Sequence, residues 1–377
     1  MPNKISTNKQ IEERYESGTL RLSQEKNDFL LPQVLEFVRQ NKWINIHPEY
    51  QRRLVWDRAK RSAFIESLLM NIPIPQIFLL EWEYSRYEVM DGQQRLSSIV
   101  DFYDNRFKLS GLEYWPELNG KTYGDCPPTI QRGLDRRRIS AVVVLAENLA
   151  LEDRKYDIRR IVFERLNTGG QNLNAQELRN CVYSGLFNDL LIELAGNDLF
   201  DDLWEIPRYS ENIRGSHVSS ELSTHSLYSR MRDCEIVLRF FAMRDKANIR
   251  GSMKAILNRC MESKMEATPA VIDNLRRAFI FCLKTCHDIF KENTFRVPCE
   301  NGRLTLSQPL YDSVMIAAER LSDKAPVLIK NRSVISKALA NKLSTKTTYD
   351  IMVAKPNTAD AIRARLDMVE AIFRSVL

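Results

Sequence analysis

Apolar residues in the first half of the chain recur with two periods that alternate along the sequence. Stretches with helical spacing are separated by short runs that alternate as β-strands do, which is typical of an α/β domain. The predicted helices are 31–40, one that begins after Asp57, one that begins after Gly92, and 153–166. The predicted strands are 43–47, 76–82, 87–90 and 139–145, and 109–128 is predicted to be irregular.

In the second half, from residue 174 onward, apolar residues keep helical spacing and no comparable run of period two occurs. This pattern predicts a helical domain. A serine-rich stretch with few apolar residues, 209–225, is predicted to be a mobile loop. The predicted helices are 175–184, 186–195, 226–243, 252–262, 269–290, 307–321, 325–342 and 358–377.

Composition narrows the class of protein. The chain has 377 residues, of which 44% are hydrophobic and 28% charged, as in globular proteins. No apolar run is long enough to span a membrane, and residues 1–10 lack the apolar core of a secretory signal, so a cytoplasmic protein with no membrane partner is expected. Seven cysteines without C-x-x-C spacing are expected to be reduced core thiols, not zinc ligands. Trp43, Trp56 and Trp82 are expected to be core anchors.

The charged residues favour a partner that carries phosphate. The 55 basic and 49 acidic residues give a net charge of +6, and counting along the sequence gives 36 arginines and 19 lysines. The planar guanidinium of arginine binds phosphate bidentately, whereas lysine is a point charge. Only 13 residues are glycine, and neither G-x-G-x-x-G nor G-x-x-x-x-G-K-[ST] occurs, which disfavours the glycine-rich nucleotide loops.

The segment D-G-Q-Q-R at a predicted strand-to-helix turn is the main candidate for chemistry. A helix start presents backbone N–H groups and a positive dipole end, and Arg95 in the first turn adds a guanidinium, so the segment can bind an anion. Gln93 and Gln94 can contact a ligand or position a water. Asp91 can cap the helix or hold Mg²⁺ between phosphate oxygens. In a purely structural alternative, Asp91 caps, Gly92 turns and Arg95 pairs with a carboxylate.

Four motifs, in this order, resemble those of the DUF262 family. This is the ParB/sulfiredoxin-like domain found as the N-terminal part of modification-dependent (type IV) restriction systems and of phosphorothioate-sensing phage-defence proteins. The resemblance covers about 31–195 and implies a mixed α/β ParB-like nucleotide-binding domain there. Together with the helical spacing of the second half, the sequence predicts an α+β protein with an N-terminal arm (1–30), this domain (31–195) and an all-helical domain (196–377). The motifs are P-E-Y-Q-R-R-L-V-W (48–56), N-I-P-I-P-Q-I-F-L (71–79), D-G-Q-Q-R-L (91–96) and F-E-R-L-N-T-G-G-Q-N-L-N-A-Q-E-L-R-N (163–180).

The resemblance implies that D-G-Q-Q-R binds and hydrolyses a nucleoside triphosphate of unspecified identity. The implied catalytic residues are Asp91, Gln93, Gln94 and Arg95, and Asp91 is also the implied ligand of Mg²⁺. The implied nucleotide-binding residues are Gln51, Arg52, Gly92, Arg95, Asn167 and Gly170.

Other arginines are candidates for contact with DNA. Arg53, and the run Arg136, Arg137 and Arg138 before a predicted strand, can contact a phosphate backbone, and a solvated turn is the alternative for the run. Multidomain relatives carry an HNH nuclease with paired histidines. This chain has four histidines and none after His287, so an intrinsic HNH nuclease is not expected.

The sequence therefore predicts a phage-defence or restriction-type protein whose ParB-like domain binds and hydrolyses a nucleoside triphosphate with Mg²⁺, coupled to DNA recognition. A nuclease or methyltransferase partner and a homo-oligomer are compatible with this interpretation. The alternative is a non-catalytic DNA-binding or DNA-modification-sensing module that acts with a separate nuclease subunit. A third hypothesis is an interaction or toxin–antitoxin component that keeps the fold but has lost the chemistry.

Overall fold

The chain forms two compact units, 1–172 and 173–377. The computed structural model describes residues 8–16, 22–40, 42–46, 56–145, 162, 174–183, 185–214, 217–298, 303–353 and 358–377.

The first unit contains a five-stranded mixed sheet with helices between its strands. In chain order, its described elements are α1 (Asn8–Glu16), β1 (Ser23–Leu30), α2 (Leu31–Arg39), β2 (Ile44–Asn45), α3 (Arg58–Leu69), β3 (Ile77–Glu83), β4 (Arg86–Asp91), α4 (Gln93–Tyr103), α5 (Pro128–Asp135) and β5 (Arg138–Leu145). The strand order is β1-β5-β3-β4-β2. β5 pairs antiparallel with β1 and parallel with β3, β4 is antiparallel to β3, and β2 runs parallel to β4.

The predicted mixed α/β character of this half is confirmed. The predicted helix 153–166 lies outside the described residues apart from Val162, which is helical and buried. Strand β1, in the segment predicted to be an arm, was missed because S-Q-E-K-N-D-F-L does not alternate. β1 is an edge strand that pairs with β5 along eight residues, and charged side chains are common on such edges.

Alternate residues of the central strands build the core of the first unit. Ile77 and Leu79 of β3, and Ala141 and Val143 of β5, are at most 1% exposed and pack with α2, α3 and α4. Val142 and Val144 on the opposite face of β5 are also buried. A strand buried on both faces reads as a continuous β-branched run, which explains the compact pattern of this segment.

A buried carboxylate organises the predicted irregular stretch 109–128, which contains a 3₁₀ turn at Pro116–Leu118. Glu66 of α3 accepts hydrogen bonds from the backbone N–H groups of Tyr114 and Trp115 at 2.8 and 2.9 Å, and from that of Glu113 at 3.3 Å. Backbone donors compensate the cost of burying the carboxylate. The loop is therefore held in one conformation although it lacks regular secondary structure.

The second unit is mostly helical, as predicted. Two short antiparallel ribbons add to the helices, Ile213–Arg214 with His217–Val218 and Arg296–Pro298 with Leu304–Leu306. The helices are Ala175–Val182, Leu186–Ala195, Asp198–Trp204, Tyr209–Asn212, Ser220–Thr224, Ser226–Ser229, Arg232–Arg244, Met253–Glu262, Pro269–Phe290, Gln308–Arg320, Ala325–Lys330, Arg332–Leu343, Lys346–Val353 and Ala359–Arg374.

The structure differs from the predicted elements of this half at several places, and the predicted helix 325–342 is divided at Asn331. The stretch 209–225, predicted to be a loop, contains two short helices and a ribbon. The predicted helix 226–243 is interrupted because Met231 adopts a left-handed φ of 52°. The helices between residues 175 and 195 contribute Val182, Phe187 and Leu190 to the core of the second unit, so the compact units divide earlier than residue 195.

A buried ion pair lies inside the second core. The guanidinium of Arg239 donates to both carboxylate oxygens of Asp312, with an Nε–Oδ1 distance of 2.9 Å, and both residues are less than 5% exposed. The pair joins helices Arg232–Arg244 and Gln308–Arg320. In the described parts of both units, no helix has the length and apolar character that a membrane span requires.

Removing one partner of the buried pair should destabilise the protein. We expect Asp312→Ala to lower the free energy of unfolding by about 3–5 kcal/mol, because Arg239 would remain buried without its counter-charge. The measurement is urea unfolding followed by circular dichroism. The control is Glu193→Ala, which removes the largely exposed ion pair with Arg276 and should cost less than about 1 kcal/mol. Equal losses for the two variants would contradict the prediction.

Candidate functional site

The segment D-G-Q-Q-R lies where strand β4 ends and helix α4 begins. Asp91 is the last residue of β4, and Gly92 is the N-cap of α4 with a φ of 100°. A Cβ atom at Gly92 would lie 2.4 Å from Cγ2 of Ile77, a distance that real side chains do not tolerate. Both the left-handed backbone and the approach to β3 therefore require glycine here.

Arg95 reaches back from the first turn of α4 to two other segments. Its Nη2 donates to Oδ2 of Asp91 at 2.6 Å, and its Nη1 donates to the carbonyl oxygens of Gln76, at 3.2 Å, and Pro75. The side chain of Arg95 is 11% exposed and that of Asp91 is 48% exposed. The guanidinium thus fixes the turn between β4 and α4 against the segment that leads into β3.

These contacts agree in part with the purely structural interpretation of D-G-Q-Q-R, in which Asp91 caps, Gly92 turns and Arg95 pairs with a carboxylate. Arg95 does pair with a carboxylate, that of Asp91, and Gly92 does make the turn. Asp91 does not cap the helix, because Gly92 occupies the N-cap and the helix has no side-chain capping hydrogen bond. The half-exposed carboxylate of Asp91 is accordingly oriented by Arg95 and not by the helix N–H groups.

The two glutamines occupy different environments. Gln93 is buried, whereas Gln94 accepts a hydrogen bond from the backbone N–H of Trp56 through Oε1, at 3.2 Å. Trp56 is the last residue of the motif P-E-Y-Q-R-R-L-V-W, and its ring packs edge-on against Phe64 of α3. The hydrogen bond brings the end of this motif to the start of α4. Of the predicted residues in that motif, Gln51, Arg52 and Arg53 lie outside the described residues.

Three of the four motifs therefore meet at the start of α4. The residues that join them are Pro75, Gln76 and Trp56, which act through backbone groups. The sequence predicted a core position for Trp56 but no role in the site for any of the three, because a backbone carbonyl or N–H carries no signature in the side-chain sequence.

The fourth motif divides at the boundary of the described residues. Asn167 and Gly170 lie outside them, and the later part, A-Q-E-L-R-N, forms helix Ala175–Val182 of the second unit. The polar side chains of this helix are buried, at 1–3% exposure, and were missed as a group by the sequence analysis. They are Gln176, Glu177, Arg179 and Asn180.

Arg179 is the centre of this buried polar helix. Its guanidinium donates to Gln176 Oε1, Glu235 Oε2 and Asn258 Oδ1, each at 2.9 Å. Asn174 caps the helix through Oδ1, and the carboxylate of Glu177 accepts from the backbone N–H of Asn174 at 2.7 Å. The polar character of this part of the motif is therefore explained by packing within the second unit.

The arginine run before β5 is divided between surface and interior. Arg136 and Arg138 are exposed, whereas the Nη2 of Arg137 donates to the carbonyl oxygen of Leu69 at 2.8 Å. Leu69 is the last residue of α3, so Arg137 caps the end of that helix. Among the described residues, no comparable side-chain contact is found for Arg136 or Arg138.

Metal-binding side chains do not form a cluster in the described parts of the chain. No group of three or more histidine, cysteine, aspartate or glutamate residues there could hold a metal ion. The described cysteines are free and buried, and burial raises the pKa of the Cys282 thiol to about 12. They are Cys126, Cys234, Cys260, Cys282 and Cys286.

Comparison with known proteins finds one similarity, which lies in the first half of the chain. Residues 33–184 match the family model described as GmrSD restriction endonuclease, N-terminal domain. No curated protein and no solved structure was found to match the chain. The matched region contains all four motifs and ends one helix into the second compact unit. Residues 33–184 are therefore similar to the N-terminal domain of GmrSD restriction endonucleases, and this match agrees with the resemblance of the four motifs to the DUF262 family.

Proposed function

We propose that the start of α4 binds a nucleoside triphosphate and hydrolyses it with Mg²⁺, in a restriction or phage-defence system that acts on DNA. The observation that carries the proposal is the joining of three motifs by Arg95 and Gln94 around a glycine-capped helix start. Phosphoryl transfer requires mainly positioning and charge stabilisation. A helix N-terminus with a fixed guanidinium and a half-exposed carboxylate offers both.

Arg95 and Asp91 would exchange partners when the nucleotide binds. In the structure, Nη2 of Arg95 donates to Asp91, and Nη1 is held by the carbonyl oxygens of Pro75 and Gln76. Because Nη1 is anchored, rotation of Asp91 away would release Nη2 to a phosphate oxygen without displacing the guanidinium. The backbone N–H groups of the first turn of α4 would bind the same phosphate group.

The residues present fit Mg²⁺ only if the nucleotide supplies most of its ligands. Asp91 is half exposed and contributes one carboxylate, and Mg²⁺ is often bound by one or two carboxylates together with phosphate oxygens and water. When bound, Mg²⁺ would neutralise charge on the phosphates. Asp91 would hold the ion, and the amide of Gln93 or Gln94 would orient the attacking water.

The remaining predicted nucleotide-binding residues would complete the site from neighbouring segments. Gln51 and Arg52 precede Trp56, whose N–H is bonded to Gln94, so their segment ends at the start of α4. We assign Asn167 and Gly170 to the rim of the same site on the basis of the family resemblance alone.

DNA contacts and cleavage are proposed separately from the nucleotide site. Arg53 and the exposed Arg136 and Arg138 are candidates for phosphate contacts, whereas Arg137 is used within the fold. We also propose that the protein acts together with a partner nuclease, because the matched family is described as a restriction endonuclease.

A second candidate function is DNA sensing without hydrolysis. It is favoured by the fact that the guanidinium of Arg95 is bonded on both nitrogens Nη1 and Nη2 within the protein. Such a module would bind DNA with a steep salt dependence and would not respond to nucleotide. Titration of DNA at several salt concentrations, with and without nucleotide, distinguishes the two functions.

Substitution of Arg95 should weaken nucleotide binding. We expect Arg95→Ala to lower the affinity for the preferred nucleoside triphosphate about tenfold or more, because a charge-assisted hydrogen bond contributes about 1.5–3 kcal/mol. In the wild type, the affinity for the triphosphate should be higher in the presence of Mg²⁺ than in the presence of EDTA. Asp91→Asn should remove this difference. The measurement is calorimetric titration with each of the four common triphosphates.

The matched control for Arg95→Ala is Arg106→Ala. Arg106 also forms ion pairs with carboxylates of the first unit, but it is 54% exposed and follows the far end of α4. Thermal melting of each variant separates loss of binding from loss of folding. Unchanged affinity in Arg95→Ala, or no binding of any triphosphate by the wild type, would refute the proposal.

Substitution of Gly92 by alanine should damage the site more than the same substitution at another glycine with a left-handed backbone. Gly92→Ala is expected to lower the melting temperature and abolish nucleotide binding, because the new atom meets Ile77. The control is Gly120→Ala, where φ is 82° and nothing lies within 4 Å. Its backbone strain costs about 1–2 kcal/mol without a clash. If both variants bind nucleotide equally, the close approach at Gly92 does not support the site.

A further inference from the structure

A groove opens at the other end of strand β4 from D-G-Q-Q-R. It has a volume of about 600 Å³, and its walls include Trp43, Trp82, Tyr87 and Arg86. We call it the Trp43–Trp82 groove. Both tryptophans were predicted to be core anchors, but they are 37% and 44% exposed, and this prediction is wrong for them. Volumes of this size are usual for pockets that bind small molecules.

Trp82 and Trp43 are exposed by two different features of the sheet. Trp82 lies at a β-bulge, because Glu81 pairs with Tyr87 and Glu83 pairs with Arg86, so Trp82 has no partner on β4. Bulges re-aim side chains and are frequent beside functional sites. Trp43 directly precedes β2, and its ring packs against Phe37 with a centroid distance of 5.1 Å. The two residues are thus two strand spacings apart, on the order of 10 Å.

Hydrogen bonds fix the backbone between the two indoles. The N–H of Tyr87 donates to the carbonyl oxygen of Trp43 at 2.7 Å, and Nη1 of Arg86 donates to the carbonyl oxygen of Lys42 at 3.1 Å. The N–H of Trp43 donates in turn to the carbonyl oxygen of Phe37 at 2.8 Å. The exposed ring of Trp43 is therefore held in place, which lowers the entropy cost of stacking a ligand on it.

The charges of the groove favour a neutral ligand with both donors and acceptors. Lys42 and Arg86 are balanced by Glu83 and Glu88 in the lining, so the groove is not an anion site. Partial burial, together with the carboxylate of Glu81, raises the pKa of Tyr87, so its hydroxyl remains a donor at neutral pH. A planar heterocycle with a hydrogen-bonding edge matches this lining.

We propose that the Trp43–Trp82 groove receives one unpaired nucleobase of DNA, stacked against the two indoles. Base stacking on aromatic side chains tolerates any base, and an edge lined by both carboxylates and cations can distinguish one base from another. The inference rests on the proposed action on DNA and adds to it the part of the DNA that this domain reads. It is independent of the nucleotide site, which lies at the opposite end of β4.

The test uses the full-length protein and a labelled single-stranded oligonucleotide that carries one 2-aminopurine. Trp43→Ala and Trp82→Ala should each lower the affinity, measured by fluorescence anisotropy, about fivefold or more, because stacking of one base contributes at least about that factor. Quenching of 2-aminopurine should be lost in both variants. Trp82→Phe, which keeps an aromatic ring, should retain most of the affinity.

Trp115→Ala is the matched control, because Trp115 is 39% exposed in the same unit and does not line the groove. Its affinity and quenching should equal those of the wild type. If the three alanine variants bind the oligonucleotide equally, or the wild type does not bind it, the proposal is overturned. A second assay uses a proline-rich peptide as the probe. If Trp43→Ala and Trp82→Ala lose binding of this peptide while Trp115→Ala keeps it, the proposal is overturned in favour of a protein partner.

Calorimetric titration with nucleoside triphosphate tests the nucleotide site and the Trp43–Trp82 groove separately. Trp82→Ala should bind triphosphate as the wild type does, because the groove and the start of α4 lie at opposite ends of β4. Loss of DNA stacking with triphosphate binding retained supports the groove. If the wild type binds no triphosphate while the tryptophan variants still lose DNA, the nucleotide proposal fails and the groove stands.

Discussion

The guanidinium of Arg95 is the contact on which the arrangement of the first unit's motifs depends. It joins the end of β4, through Asp91, to the carbonyl oxygens of Pro75 and Gln76 before β3. Gly92 allows this closeness because it has no Cβ to meet Ile77. The side chain of Arg95 and the absence of a side chain at Gly92 together bring a strand end, a loop and a helix start to the same point. Any ligand at the start of α4 would be met by a preorganised set of groups.

The β3–β4 hairpin gives the domain two chemically different ends. At one end, the register of β3 and β4 shifts between Phe78 and Leu79, beside Asp91. At the other end it shifts at Trp82, beside Arg86. The first end is charged and built around a helix terminus, whereas the second is aromatic and balanced in charge. The antiparallel pairing of β3 with β4 connects the two ends.

The second unit uses polar residues for a different purpose. Arg179 and Arg239 are buried with carboxylates that satisfy them, Glu235 and Asp312. Buried ion pairs contribute little net stability, but the loss of one partner is costly. The arginine excess of the chain is therefore partly structural, and the sequence composition alone does not separate these arginines from candidates for phosphate binding.

Local features were predictable from the sequence because their causes are local. Asp57 caps α3 by accepting a hydrogen bond from the backbone N–H of Lys60 at 2.8 Å. This cap, the turn at Gly92 and the β-branched run of β5 each follow from residues within a few positions, and the four motifs pointed to the family that residues 33–184 match. Tertiary structure decided the rest. The polar strand β1 exists because β5 offers it eight residue pairs, Trp43 and Trp82 are exposed because a bulge and an edge strand present them, and Arg95 is held by backbone carbonyls that no sequence pattern reveals. These outcomes depend on contacts between residues that are distant in the chain. Local sequence patterns do not reveal such contacts, because they form only when the chain folds.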